Sequence, residues 1–463
     1  MRDTEVGRQF HFSKIKDARK YAEVVPITDY ETIHDSIERM MDGEEDVLVN
    51  GQVKWFAKSS GTTSARSKYI PVTNDFLYGN LIRSHWDASS IIYQNDPDAE
   101  IFKKKSLIMG GSLSHYKNSD VMTGDISAIM IDRMPSVGKP FYSPCFETAL
   151  LEDWEEKIEK MSEECMQEEI VMCGGVPTWT IVLFDRILEK TGMQNMHEVW
   201  PDLKYYFHGG VGFGPYREQF QKYFPDPSFR YFEVYNASEG YFAVQDDPEK
   251  EGMLLLTDNG IYYEFISPDQ WTADQPVAIP LSDVEVGVNY AIVITNTAGL
   301  YRYTPGDTIE FTSVSPYRIK VTGRTKHYIN VFGEEVMVGN TDASLSITCR
   351  EIPALVRDYT VGPVYMERKK QGGHVWLIEF EEAPEDLSYF AARLDSNLRK
   401  INSDYDAKRS KDIALRPLQI QQVPKGTFHR WLKSRGRIGG QTKVPRLSNN
   451  RHYVEELLAI KDC

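Results

Sequence analysis

The stretch Ser59-Ser60-Gly61-Thr62-Thr63-Ser64-Ala65-Arg66-Ser67-Lys68, running directly into Tyr69-Ile70-Pro71-Val72-Thr73, constrains this chain more than any other. It reads as a loop dense in small side chains, with hydroxyls, backbone N–H groups and a lysine at its far end. Those are the groups a polyphosphate needs. It is not a Walker A loop, because no glycine precedes Lys68 and no Ser or Thr follows it. Alone, a Ser/Thr/Gly loop is more often a polar linker, so the phosphate reading depends on what stands downstream.

A chain of 463 residues is too long for one ordinary core. It implies about three domains, or one large α/β domain plus a smaller one. A hydrophobic share of 41% with 26% charged residues is that of a soluble globular protein. The formal net charge of −15 argues against nucleic acid or an anionic membrane as the main partner. Cys145, Cys165, Cys173, Cys349 and Cys463 are scattered, with no Cys-x-x-Cys pair, so neither a disulfide framework nor a zinc site is indicated. That pattern, with no signal-peptide core and no apolar run near the ~20 residues of a membrane helix, leads to the expectation of a cytoplasmic protein.

Asp29-Tyr30-Glu31 opens a helix through Ile33, Ile37 and Met40. Thr73 reads as the N-cap of another, through Phe76, Leu77, Leu81 and Trp86. Leu150, Trp154, Ile158, Met161 and Cys165 form a core stripe within a helical stretch over residues 147–168. Strands are expected at 106–109, 203–207, 231–234, 289–296, 300–303 and 374–380. Leu254 to Ile266 reads as a hairpin turning at Asn259-Gly260. A helix through Leu387, Phe390, Leu394 and Leu398 precedes a basic, Gly-rich tail. The domain boundary is placed near Gly323–Asn330.

Four further clusters carry chemistry. His208-Gly209-Gly210-Val211-Gly212-Phe213-Gly214-Pro215 follows a strand but fails the dinucleotide fingerprint, since Pro215 stands where the third glycine should. Such a loop still lets a flat heterocycle lie against the backbone, although a plain strand–helix turn is about as good a reading. Tyr235-Asn236-Ala237-Ser238-Glu239 ends a strand, where ligands bind in α/β sheets. Glu239 there suits Mg²⁺ and Tyr235 suits a base, against the commoner solvent-facing acid. Asp307, at the turn Thr304-Pro305-Gly306, can accept ribose hydroxyls or simply stabilise the turn. Lys443, beside Gly439-Gly440, can be delivered late to a reaction centre or belong to an ordinary basic tail.

The order of these clusters is more informative than any one of them. In sequence order they resemble the acyl-adenylate-forming superfamily, and more closely the Gretchen Hagen auxin-responsive family of acyl acid amido synthetases. The resemblance runs through Ser59–Pro71, Trp200-Pro201-x-Leu203, Gly209–Tyr216, Tyr235–Glu239, Gly299–Asp307, Gly323-Arg324 and Gln441–Arg446. It spans nearly the whole chain, and it sets the abrupt start at Arg2-Asp3-Thr4-Glu5 some way inside the family's usual N-terminus. It implies an α/β adenylate-forming fold: a large N-terminal domain with mixed sheets, residues 1–323, and a small mobile α+β C-terminal lid domain, residues 324–463. It implies ATP and Mg²⁺ as cofactors. Ser59, Ser60, Gly61, Thr62, Thr63 and Lys68 would cradle the β- and γ-phosphates. Gly210 would belong to the adenine loop, and Val211 and Tyr235 would flank the base. Ser238 and Glu239 would sit at the α-phosphate and the metal, and Asp307 with Arg324 would hold the ribose. Lys443 would close over the α-phosphate and the carboxylate under activation.

The implied activity is adenylation of a carboxylic acid followed by transfer to an amine, an amino acid in the first instance. From order alone, helix 76–94 and the segment around Pro177 and Trp179 are expected to line the acid pocket. An acyl-CoA ligase, and a silent ATP-binding protein, remain open alternatives. The departures bear on this. Ser64 and Ala65 stand where plant relatives have glycines, Thr304 replaces an arginine, and Phe332-Gly333-Glu334-Glu335 differs from the plant hinge.

Overall fold

The computed structural model describes residues 1–59, 68–117, 119–210, 213–271, 273, 275–325, 328–329, 336–364, 372–402, 405–406, 409, 415–435, 444–448 and 450–460. Ser60 to Thr63, Val211, the Phe332–Glu335 segment and Lys443 therefore lie outside the described residues. Two compact units emerge from the contacts. Among the described residues, one holds 1–210 and 228–321, and the other holds 213–227 and the chain from Thr322 onward.

The first unit is built on a twelve-stranded sheet. From edge to edge its strands are Ala278–Pro280, Ile261–Ile266, Asn289–Asn296, Asp307–Val314, Tyr317–Arg324, Met253–Leu255, Gly240–Val244, Arg230–Ala237, Tyr205–Gly209, Ile170–Gly175, Lys105–Ile108 and Tyr142–Ser143. The last five pair in parallel. The sense changes at Arg230–Ala237, which pairs antiparallel with Gly240–Val244. Helices such as Trp154–Cys165 and Pro177–Thr191 supply the crossovers that parallel pairing requires. A second sheet of four strands, Lys68–Pro71, Trp55–Ser59, Met122–Gly124 and Leu113–His115, packs into the same core through Phe56, Ala57 and Ile70.

Most elements form where local rules put them. The helix Tyr30–Met41 is capped by Asp29, whose Oδ1 accepts from the Thr32 N–H at 3.1 Å, and it buries Ile33, Ile37 and Met40. Thr73 caps the next helix through the Phe76 N–H at 3.0 Å. That helix opens into a π-helical turn, Leu77–Ile82, before continuing as Arg83–Asn95. The stretch expected as one helix over 147–168 is two, Phe146–Ala149 and Trp154–Cys165, because Asp153 restarts the helix as a cap.

Two strand expectations are corrected. Met253–Leu255 and Ile261–Ile266 are not a hairpin: the first lies between Gly240–Val244 and Tyr317–Arg324, and the second pairs with Ala278–Pro280 and Asn289–Asn296. Gly260 does turn with φ +80°, but Asn259 is buried and holds other elements instead of an adjacent strand. The expected strand at 300–303 reduces to Tyr303, bridged to Thr28 and Ile294. Arg302 breaks it with φ +46° and turns its guanidinium onto buried Glu264 at 2.9 Å, with further bonds to the Ala22 and Val25 carbonyls.

The second unit has its own core around Tyr359, Trp376, Ile378, Phe390, Leu394 and Leu398. Its sheet orders Leu355–Val364, Gly373–Glu382 and Gln419–Val423, backed by the helices Val338–Glu351 and Leu387–Ile401. Gly373–Glu382 is central, and Gly373 to Phe380 are buried without a break.

Candidate active site

Because the strands Lys105–Ile108, Ile170–Gly175, Tyr205–Gly209 and Arg230–Ala237 run in one sense and in close register, their carboxyl ends share one edge of the sheet. That edge is where a doubly wound sheet opens a crevice for ligands. Glycine is required there. A Cβ on Gly209 would lie 2.5 Å from the Val234 carbonyl oxygen, so the backbones of neighbouring strands approach too closely for a side chain. Gly210 then leaves the strand with φ +81°.

Arg230–Ala237 ends in a two-residue turn made of Ser238 and Glu239, both buried, before Gly240–Val244 returns. Asn296, at the end of the strand Asn289–Asn296, holds the turn by donating from Nδ2 to the Glu239 carbonyl at 2.8 Å. Earlier on the same strand, Tyr235 donates its hydroxyl to Asp307 Oδ2 at 2.7 Å, and its ring packs 4.7 Å from that of Phe242. Asp307 opens its own strand directly after Gly306, whose φ is +89°. Thr304, one of the departures, is fully used: its N–H and hydroxyl both donate to the Thr28 carbonyl, at 2.8 and 3.0 Å.

On the second sheet, Ser59 and Lys68 are register partners on neighbouring strands and so hold the two ends of the hydroxyl-rich loop side by side. The lysine lies 5.4 Å from the centre of the Tyr30 ring, and the Tyr30 hydroxyl accepts from the Tyr69 N–H at 2.8 Å. Arg324 closes the strand Tyr317–Arg324. The structure thus joins Tyr235 to Asp307, places Ser238 and Glu239 on one turn, and pairs Ser59 with Lys68.

Three polar clusters escaped the sequence reading. Asn80 sits inside the apolar stripe Phe76, Leu77 and Leu81, and that misplaced amide was the signal for it. Lys157 is buried beside Trp154 and donates to the carbonyls of Gly110 and Gly111, just past the strand Lys105–Ile108, at 3.1 and 2.7 Å. Burial pulls its ammonium down to about 8, an effect that nearby Asp125 opposes. Burial in turn raises the Asp125 carboxyl, against the pull of Lys157. In the second unit, buried Arg446 bonds Asp358, the Tyr216 hydroxyl and, at 2.9 Å, the Tyr359 carbonyl. It ties the segment around Tyr216 to the sheet of the same unit. Among the described residues, His34, Asp35 and Glu38 group as possible metal donors, but on a largely exposed helix face that does not include Glu239.

A half-parallel sheet that ends on a glycine loop and a buried Ser-Glu turn, with a separate small α+β unit, defines the adenylate-forming fold class. Solved structures agree. The chain superposes on the GH3.15 acyl acid amido synthetase in complex with 2,4-DB with a TM-score of 0.80 at 19% identity, covering 98% of this chain and 90% of that one. It superposes on 2-hydroxyisobutyryl-CoA ligase in the postadenylation state with a TM-score of 0.60 at 12% identity, covering 98% and 87%. Models of the GH3 family N-terminal, central and C-terminal domains match residues 1–229, 254–324 and 340–452, and the chain belongs to the GH3 family. Among curated relatives, indole-3-acetic acid-amido synthetase GH3.3 of Arabidopsis thaliana is 24% identical over 524 residues, covering 96% of this chain and 86% of the relative. Jasmonoyl--L-amino acid synthetase GH3.5 of Oryza sativa subsp. japonica is 23% identical, covering 94% and 87%. Among the described residues, no helix is long and apolar enough to cross a membrane.

Proposed function

We propose that this chain is an ATP-dependent acyl acid amido synthetase. It adenylates a carboxylic acid, releasing pyrophosphate, and passes the acyl group to an amine, in the first instance an amino acid. The observation that carries the reading is the hydrogen bond from Tyr235 to Asp307. These residues lie far apart in the chain, and the family resemblance assigns them separately to adenine and ribose. The full-length likeness to curated amido synthetases supports the amine over a thiol as acceptor.

In this reading residues 1–323 bind ATP and the acid, and residues 324–463 act as the lid. The loop from Ser59 to Thr63, with Lys68, receives the β- and γ-phosphates. Val211 and Tyr235 flank adenine, with Gly210 in the loop below, and Asp307 and Arg324 take the ribose. Ser238 faces the α-phosphate. Lys443 neutralises charge there and orients the attacking carboxylate. A carboxylate is already a competent nucleophile, so these residues act mainly by placement and charge neutralisation. Glu239 fits a hard cation: it is a buried carboxylate whose backbone is tied down by Asn296. Magnesium, when bound, would offset charge on the phosphates, and Glu239 is the residue that would hold it. The scattered cysteines are consistent with a reducing compartment and support the cytoplasm as its location.

A screen of carboxylic acids against amino acids, read by pyrophosphate release and product mass, tests the proposal. Acid-dependent release with an acyl–amino acid product is expected. A thioester made only with CoA, or ATP binding without release for any acid, would overturn it.

A further inference from the structure

The backbone that leaves the turn carrying Glu239 is held by two side-chain amides from distant elements. Asn296 Nδ2 donates to the Glu239 carbonyl, while its Oδ1 accepts from the Ala298 N–H at 3.0 Å. Asn80 grips Tyr241, two residues past Glu239. Its Oδ1 accepts from the Tyr241 N–H at 2.8 Å, and its Nδ2 donates to the carbonyls of Tyr241 at 3.3 Å and Asn259 at 3.1 Å. Asn259 donates to the same Tyr241 carbonyl at 2.7 Å and to Ser84 Oγ at 3.1 Å.

This grip falls where the sheet's own ladder fails. Tyr241 opposes Asn236 and Ala243 opposes Tyr235, so Phe242 is an extra residue on its strand. A bulge of this kind leaves backbone groups outside the ladder. The Asn80 amide, one acceptor and two donors, serves Tyr241 as a neighbouring strand would. Asn80 is 1% exposed and lies in the π-helical turn Leu77–Ile82. Such turns are rare overall and frequent at functional sites.

We propose that Asn80 is a positioning residue for the metal–nucleotide site. By gripping the Tyr241 backbone, it fixes the Ser238–Glu239 turn in its ligand-holding geometry. The proposal rests on the assignment of Glu239 made above. It also gives the π-turn a purpose, since the turn brings an amide from the helix to the sheet edge.

Calorimetric titration of ATP, with magnesium and with a chelator, tests it in wild type, Asn80→Ala and Asn80→Asp. Asn80→Ala is expected to lose about tenfold of the magnesium-dependent gain in ATP affinity. Its magnesium-free affinity should stay near wild type, and hydrogen exchange at the Tyr241 amide should speed up. Asn80→Asp keeps the acceptor but sets a carboxyl against two carbonyls. Protonated, its one O–H can still donate to one of them, and burial raises its pKa. Its magnesium-dependent gain should therefore be retained in mild acid and be lost as pH rises, a profile wild type lacks. Arg83, Asp87, Asp258 and Glu239 are the charged groups around this cluster, and they are common to all three proteins. The comparison at low pH also serves if Asn80→Ala fails to fold. An unchanged magnesium-dependent gain in Asn80→Ala, an equal loss with and without magnesium, or no such gain in wild type would overturn the proposal. Wild type that binds ATP with magnesium but releases no pyrophosphate overturns the synthetase reading alone, because the Asn80 comparison is a binding measurement.

Discussion

At the scale of single residues, the bond from Tyr235 to Asp307 is the most consequential one in the first unit. Tyr235→Phe keeps the ring against Phe242 and removes only the donor. A hydrogen bond to a charged group is worth about 1.5–3 kcal/mol. The variant should therefore melt a few degrees earlier and, with Asp307 no longer fixed, raise KM for ATP about tenfold. Lys157 gives a second prediction, on stability. Its folded value, about 8, lies below the ordinary 10.5. Between those values the unfolded chain binds more protons than the folded one, so this lysine's contribution makes stability rise with pH. As a neutral amine it still donates to Gly110 and Gly111. The unfolding free energy of wild type from urea titration should rise relative to Lys157→Met from pH 8 to 10.5, by on the order of 2 kcal/mol. A flat difference would show that the ammonium is not held down by burial.

Among the elements, Tyr205–Gly209 and Arg230–Ala237 approach closely at the site edge. Gly209→Ala sets a methyl 2.5 Å from the Val234 oxygen. Overpacking of this kind costs about 1–3 kcal/mol. The variant should melt earlier and bind ATP more weakly, and unchanged binding would detach this loop from the nucleotide. Element by element, the sequence was legible where a residue's partners are close in the chain. Asp29 capping Tyr30–Met41, and the stripe Phe390, Leu394 and Leu398, follow from spacing alone. Tyr235, Ser238, Glu239 and Asp307 were singled out because ligand groups collect where strands end. Asn259-Gly260 misled because a good turn dipeptide says nothing about which strands flank it, and here the flanking strands pair elsewhere. The π-turn was hidden because Phe76, Leu77 and Leu81 fit an ordinary helical stripe as well. The acid and amine stay hidden for a related reason: pocket specificity is set by side chains that only tertiary folding brings together.

For the whole molecule, two separate cores predict two unfolding transitions. Scanning calorimetry should resolve them, and ATP with magnesium should shift the transition of the larger core upward. A single transition unaffected by ATP would contradict both the division and the assignment of the nucleotide site. The order of strands in the large sheet carries one more consequence, for synthesis. Met253 and Leu254 find their outer partners in Ile319 and Arg318. While the chain is still emerging from the ribosome, the parallel half is already complete in sequence. The strand Met253–Leu255 then presents an open edge until Tyr317–Arg324 arrives to cover it. Nascent chains stalled in that interval are the form of this protein most exposed to edge-to-edge aggregation and most in need of a chaperone.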